Sequence, residues 1–197
     1  MPAKPKRQLA RPASTGTMPR LPRTVTYGAA CSLDLFIARP DHGVDWLRYS
    51  TDVSSIMAKY WKTIDTVVMG RKTYDVARGS GRDGVGSYGN VKCYVFSRTL
   101  PHGKQGGTEV VNEDAAQFLR RLKSQPGKGI CVMGGGELAR SLFEADLIDE
   151  VGLNIHPVLL GSGVPLFHAM KKQLDLELIE CRQIQHGCVY VIYRVGR

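Results

Sequence analysis

Three times along this chain a short, unbroken apolar run ends in a glycine- or hydroxyl-bearing turn. Residues 65–69 lead into Gly70-Arg71-Lys72-Thr73-Tyr74, residues 92–96 into Ser97-Arg98-Thr99, and residues 129–133 into Gly134-Gly135-Gly136-Glu137-Leu138-Ala139. Runs without polar alternation are what strands buried on both faces of a parallel sheet look like, and the pattern predicts a helix-like segment after each. Residues 24–27 alternate and are β-prone, pass into the small residues Gly28-Ala29-Ala30, and end in a loop, which predicts a first strand. Val53, Ile56, Met57, Tyr60 and Trp61 recur at helical spacing over residues 50–63, with Ser50 or Thr51 available as the cap. A second amphipathic helix opens at Asn112-Glu113-Asp114 with an acidic first turn, carries Phe118, Leu119 and Leu122 on one face and stops at Pro126-Gly127. A further helix over residues 137–145 precedes a strand over 150–156, and two alternating runs about His186-Gly187 predict a closing hairpin. The sum is an α/β fold: a mainly parallel central sheet flanked by helices, with a C-terminal antiparallel hairpin. Ligands of such sheets sit at the carboxyl ends of the strands.

Charge at first suggests nucleic acid, because 27 basic groups face 18 acidic ones. Six of the basic groups, and no acid, lie in residues 1–23, so the remainder is near balance with 21 against 18. That stretch is also rich in proline and lacks helical periodicity, which predicts a disordered basic tail (1–23) before a single domain (24–197). A transit peptide or nucleic-acid arm is the alternative reading of the tail, whereas the domain itself gives no reason to expect nucleic acid or membrane as a partner. Residues 79–89 hold five glycines and predict a mobile surface loop able to cover a ligand. Five cysteines with no CxxC spacing argue for no metal and no disulfide framework, and place the protein in the cytoplasm or another reducing compartment.

Three constellations carry chemistry. Gly134-Gly135-Gly136-Glu137-Leu138-Ala139 fits G-x-G-x-x-A, where residues without Cβ let backbone N–H groups approach a pyrophosphate. The motif comes late in the chain, and Asp149 and Glu150 begin the next strand instead of ending it, so an NAD-type Rossmann arrangement fails on position while pyrophosphate binding, or a turn needed only for packing, remains. Gly70-Arg71-Lys72-Thr73 and Ser97-Arg98-Thr99 place cations and hydroxyls at two more strand ends. They suit further anionic groups, and a 2′-phosphate in particular, which favours NADP over NAD. The third is Ala29-Ala30-Cys31-Ser32-Leu33-Asp34: small residues admit a flat ring, and Asp34 is either a partner for a polar substrate or a loop cap bonded to its own backbone.

Ser32-Leu33-Asp34, Phe36-Ile37-Ala38, Asp45-Trp46-Leu47, Val68-Met69-Gly70-Arg71-Lys72-Thr73-Tyr74, Val95-Phe96-Ser97-Arg98-Thr99-Leu100, Gly134-Gly135-Gly136-Glu137-Leu138 and the Pro157 to Phe167 segment together resemble the dihydrofolate-reductase-like superfamily. The likeness is closer to the reductase domain of bacterial riboflavin biosynthesis and its stand-alone relatives. It implies that Gly70, Arg71, Lys72 and Thr73, with Ser97, Arg98 and Thr99, hold the adenosine phosphates of NADPH. It also implies that Gly134, Gly135 and Gly136, followed by Glu137 and Leu138, meet the pyrophosphate and nicotinamide side, often with a cis peptide at the glycine pair. Ala29 and Ala30 would face the nicotinamide, Ile37 would border it, and Asp34 falls on the family's loop aspartate. Family members commonly carry glycine where this chain has Leu35. Folate reductases proper carry an acid five residues beyond their tryptophan, where this chain has Thr51, and the deaminase signature fused to riboflavin reductases is absent from the sequence.

The implied activity is an NADPH-dependent reduction of a C=N or C=O in a small planar or heterocyclic substrate, within a homodimer. Asp34 is the candidate catalytic and substrate-holding acid. Trp46 is either a stacking wall for the substrate or packing for its loop, and His156 is a lesser substrate-side candidate. A cofactor-binding sensor or scaffold without turnover is the alternative.

Overall fold

Local capping sets where the helices begin. The Ser50 side chain accepts the backbone N–H of Val53 and starts α1 (Thr51–Thr63), and Asp114 does the same for Gln117 at α3 (Ala115–Lys123), each side chain satisfying one of the donors left over at a helix start. The expected acidic first turn of α3 is thus its cap, and the helix closes at Ser124, before Pro126. The computed structural model describes residues 22–79 and 91–196. The remaining elements are β1 (Val25–Ser32), β2 (Phe36–Ala38), β3 (Ile64–Gly70), α2 (Arg71–Gly79), β4 (Lys92–Phe96), β5 (Gly103–Gln105), β6 (Thr108–Val111), β7 (Gly129–Met133), α4 (Gly136–Glu144), β8 (Glu150–His156), β9 (Val164–Pro165), β10 (Leu176–Ile184) and β11 (Cys188–Val195).

Nine strands form one sheet in the order β10-β11-β8-β1-β7-β3-β4-β6-β5. The six central strands, β8 to β6, are parallel. One edge is closed by the expected β10–β11 hairpin, antiparallel to β8, and the other by β5. Alternation along the strands sends Val25, Tyr27 and Cys31 to one face, where they meet Phe118 and Leu119 of α3 and Leu142 and Phe143 of α4 in the main core. Burial of a leucine-sized side chain is worth about 2 kcal/mol. On the other face Val67, Met69 and Val95 pack with Tyr74 of α2 in a smaller cluster, and Tyr60 and Trp61 of α1 border it. No residue of α1 is itself buried, so this helix lies over the sheet without sealing onto it.

Two expectations are corrected. The second apolar run does not lead into a helix: residues 97–100 bend, and the chain then makes the β5–β6 pair, because Pro101, Gly103, Gly106 and Gly107 interrupt any helical hydrogen-bond ladder. The folded unit also starts earlier than residue 24. Arg23 is 7% exposed, its Nε donates to the Lys128 carbonyl at 2.6 Å and its Nη2 to Thr66 Oγ1 at 2.8 Å, and it is ion-paired with Asp65. The rest of the basic tail and the glycine-rich segment 80–90 lie outside the described residues. Among those described, no helix is long and apolar enough to cross a membrane.

Candidate active site

β7, β3 and β4 are neighbours, with Met133 opposite Met69 and Gly70 opposite Phe96, so the three motif turns emerge side by side at the carboxyl edge. Thr73, in the first turn of α2, touches the β7 turn: a Cβ on Gly134 would lie 3.1 Å from both Cγ2 and Oγ1 of Thr73, and one on Gly135 would lie 3.4 Å from Oγ1. Gly134 and Gly135 have φ of 54° and 72°, the left-handed region that L-residues avoid. The cis peptide implied by the resemblance is not found, since every described peptide bond is trans; the positive φ angles turn the chain into α4 instead. Gly136, the first residue of α4, packs against the His168 ring, which a Cβ there would overlap.

Arg71 spans two of the turns. Its Nε lies 2.7 Å from Asp75 Oδ2 and its Nη1 donates to Thr99 Oγ1 at 3.2 Å, which ties the start of α2 to the β4 turn. Lys72, Arg98 and Thr99 are exposed beside it. Ser97 has an internal role: its buried hydroxyl accepts the N–H groups of Thr99 and Leu100 at 3.2 and 3.0 Å and holds the bend. Glu137 pairs with Arg140 and approaches His168 at 3.2 Å, while Leu138 packs against the main core.

Asp34 has the contacts of a loop staple. It accepts the Ser32 hydroxyl at 2.6 Å and the N–H groups of Leu160 and Gly161 at 3.1 and 2.7 Å, joining the β1–β2 loop to the one before β9. The Ser32 hydrogen bond, followed by those backbone donors, holds its carboxyl below the usual carboxylate range. Of its two readings, the geometry supports the loop cap. Leu35 beside it takes φ 61°, a left-handed conformation that favours glycine. Ile37 packs against the main core. Trp46 is buried and meets the His156 ring edge-on at 5.5 Å and 89°, so it packs its loop onto the sheet and offers no stacking face there. His156 is 1% exposed, and burial together with the nearby Arg48 charge pushes its pKa down.

Between α1 and the sheet lies a cavity of about 640 Å³. Its floor is the face of the central strands opposite the main core, with Gly28 and Ala30 of β1, Gly152 and Asn154 of β8, and Met133 of β7; Ala29, expected beside Ala30, borders the cavity but packs against the main core, because neighbouring strand residues point to opposite faces. Its roof is the apolar side of α1, including Val53, Met57 and Tyr60, which explains why an amphipathic helix buries no residue. Burial raises the Tyr60 hydroxyl well above the ordinary tyrosine range, so it stays protonated. The structure therefore brings Ala29 and Ala30 to the cavity and sets the Gly70, Arg71, Thr73, Thr99, Gly134 and Gly135 cluster on adjoining strand ends; Asp34, Ile37, Trp46 and His156 do not line the cavity. Asn154 does, and it was not among the expected residues. Its signal is the period-two placement of Asn154 and His156 on one face of a central strand.

The RibD C-terminal domain family model matches residues 23–190. YwjB of Bacillus subtilis (strain 168), an uncharacterised protein, is 35% identical over 162 residues, covering 82% of this chain and 91% of its own. The crystal structure of a putative riboflavin biosynthesis protein from Shewanella sp. PV-4 superposes with a TM-score of 0.77 at 26% identity, over 88% of this chain and 99% of that one. A diaminohydroxyphosphoribosylaminopyrimidine deaminase/5-amino-6-(5-phosphoribosylamino)uracil reductase from Thermotoga maritima shares the fold at a TM-score of 0.66 and 14% identity, over 89% of this chain and 57% of that one. With the strand order, the turn cluster and these likenesses together, the chain belongs to the RibD C-terminal domain family, whose members share the dihydrofolate-reductase-like fold.

Proposed function

We propose that the protein is an NADPH-dependent reductase acting on a C=N or C=O bond of a small planar heterocycle. The observation that carries this reading is that three anion-suited turns lie side by side at the ends of β3, β4 and β7, and that Met133, the residue before the β7 turn, lines a cavity floored by Gly28 and Ala30. The residues present fit the dinucleotide. Nothing lies within 4 Å of where a Cβ on Gly70 would stand, so backbone can approach a phosphate there. Arg71, Lys72 and Arg98 supply positive charge at an exposed rim, as a 2′-phosphate requires. NADPH, when bound, supplies the hydride.

The chain's own part is positioning. Gly28 and Ala30 leave room for one flat ring against the strand, and the apolar side of α1 holds a second ring over the same floor. Thr73 keeps the β3 and β7 turns in contact, so the two anion sites move as one body. Asp34, kept ionised by its donors, ties the β1–β2 loop to the one before β9 and is poorly suited to giving a proton at neutral pH. The uracil ring named for the Thermotoga maritima protein sets the scale of substrate, a flat, carbonyl-bearing heterocycle.

Intrinsic fluorescence titration with NADPH and NADH, on the native chain and an Arg71→Ala, Arg98→Ala variant, tests the reading. NADPH is expected to bind more tightly than NADH, and the variant to lose about tenfold or more toward NADPH alone, the loss expected for charge-assisted contacts. Failure to bind either nucleotide overturns the proposal. Binding without oxidation of NADPH across a heterocycle panel supports the sensor reading instead.

A further inference from the structure

On β8, two polar side chains stand on the cavity side of the sheet, two residues apart. Asn154 lies between Ala30 of β1 and Tyr190 of β11, and His156 between Ser32 and Cys188. The imidazole has a fixed hydrogen-bond environment. Its Nδ1 accepts the backbone N–H of Arg48 at 3.2 Å, with Cys188 Sγ 3.5 Å from the same nitrogen, and the Trp46 ring stands edge-on beside it. A backbone N–H can only donate, so Nδ1 carries no proton, and the neutral imidazole must carry its proton on Nε2.

That assignment decides the orientation of Asn154. Its carboxamide lies 3.2 Å from Nε2, and an Nε2–H donor needs an acceptor, so the atom facing it is Oδ1. A half-turn of the carboxamide exchanges its two ends without moving any other atom. The NH2 group then occupies the opposite end, a buried position for which the described residues offer no hydrogen-bond partner. A buried polar group left unpaired costs on the order of 1–3 kcal/mol, and buried groups of this kind are paired in the great majority of native structures. Asn154 lines the cavity beside Ala30 and Met133, so a molecule seated under α1 is placed to supply the missing acceptor.

Building on the reductase reading, we propose that the Asn154 NH2 recognises a carbonyl oxygen or ring-nitrogen acceptor of the substrate, and that His156 is its positioning residue, holding the amide with its donor end toward the cavity. The substrate class is a planar ring bearing such an acceptor, a lactam in the simplest case. The lining combines apolar Val53, Met57 and Met133 with the hydroxyls of Thr26 and Tyr60, so substitution at Asn154 is what separates the amide's share of any preference for an acceptor.

The test uses the full chain, with and without saturating NADP+, titrated with uracil and with benzene, a flat six-membered ring that bears no acceptor, as probes. NMR follows the Asn154 side-chain NH2 and the His156 imidazole nitrogens. The expected results are a neutral Nε2–H tautomer for His156, a shift of the Asn154 NH2 signal on adding uracil, and about tenfold tighter binding of uracil than benzene. Asn154→Asp, similar in shape but without the donor, should lose that preference. His156→Gln, whose amide N–H can replace Nε2–H, should keep most of it, and His156→Phe should not. A His156 proton on Nδ1, equal binding of the two probes, or an unchanged preference in Asn154→Asp overturns the inference. Uracil preference without NADP+ binding would refute the cofactor reading alone, and NADP+ binding without uracil preference would refute this inference alone.

Discussion

The contact between Thr73 and the β7 turn offers a quantitative check on how the β3 and β7 turns are held together. Gly134→Ala places a residue with Cβ at φ 54°, which costs about 1–2 kcal/mol for the left-handed conformation. The new methyl also stands 3.1 Å from both γ atoms of Thr73, and a β-branched side chain has little freedom to rotate away. Forcing that overlap adds about 1.5 kcal/mol, at the low end of overpacking costs, for a total of about 3. Thr73→Ala separates the two contributions, because it removes both γ atoms and leaves only Cβ, 3.8 Å away. In that background Gly134→Ala should cost only the conformational part, about 1.5 kcal/mol, giving a coupling of similar size. Gly135→Ala is the control: φ is 72° and the nearest Thr73 atom would be 3.4 Å away, an ordinary contact, so it should show the conformational cost without coupling. Urea unfolding at pH 7 of the wild type, the three single variants and the two double variants measures all of these. Gly134→Ala costs that are equal in both backgrounds would refute a tight contact between α2 and the β7 turn, and a cost below about 0.5 kcal/mol would refute the conformational argument as well.

Two further outcomes follow from the charge and burial of particular groups. Because its donors depress the Asp34 pKa in the fold, its stabilising effect is fully present above the unfolded carboxylate value of about 4 and is lost as pH falls through the folded one. Asp34→Asn should therefore lower the urea midpoint at pH 7 and converge with wild type below about pH 4; a difference that stays constant with pH would refute the staple. Among the five thiols, Cys181 alone is exposed, and burial pushes Cys31 up to about 12 and Cys131 up to about 11. A colorimetric thiol reagent should therefore find one fast group in the native protein, abolished by Cys181→Ser, and a second fast group would refute the burial assignment.

The central strands and the anion-suited turns were legible because each is written locally: an apolar run, then glycines, cations and a hydroxyl within a few residues. What escaped was non-local or brief. The β5–β6 pair follows β4 through Pro101, Gly103, Gly106 and Gly107, a stretch with no run long enough to show a period, and β2 and β9 are three and two residues that pair across the chain. Arg23 looked like the last cation of a basic tail because its partners, Asp65, Thr66 and the Lys128 carbonyl, are 42, 43 and 105 residues away. Asp34 could be read two ways because the donors that settle it, on Leu160 and Gly161, arrive from a distant loop.

The cavity was hidden for a different reason, which lies in how one strand serves two purposes. β1 and β8 send Val25, Tyr27, Val151 and Leu153 to the main core, a face that tolerates little change in volume. The intervening residues, Gly28, Ala30, Gly152 and Asn154, floor the cavity, where small size and one amide matter and packing density does not. Period-two alternation is the ordinary mark of a strand with one solvated face, and it cannot say that the second face is roofed by a helix. That roof is α1, whose apolar stripe resembles that of any surface helix, yet it buries no residue. An amphipathic helix that spends its apolar side on an open cavity forgoes packing energy its sequence could have gained. Substitutions along that side, such as Met57→Ala, should therefore alter ring binding more than they alter stability, the reverse of what the same change would do at Leu142 of α4, which is fully buried in the main core.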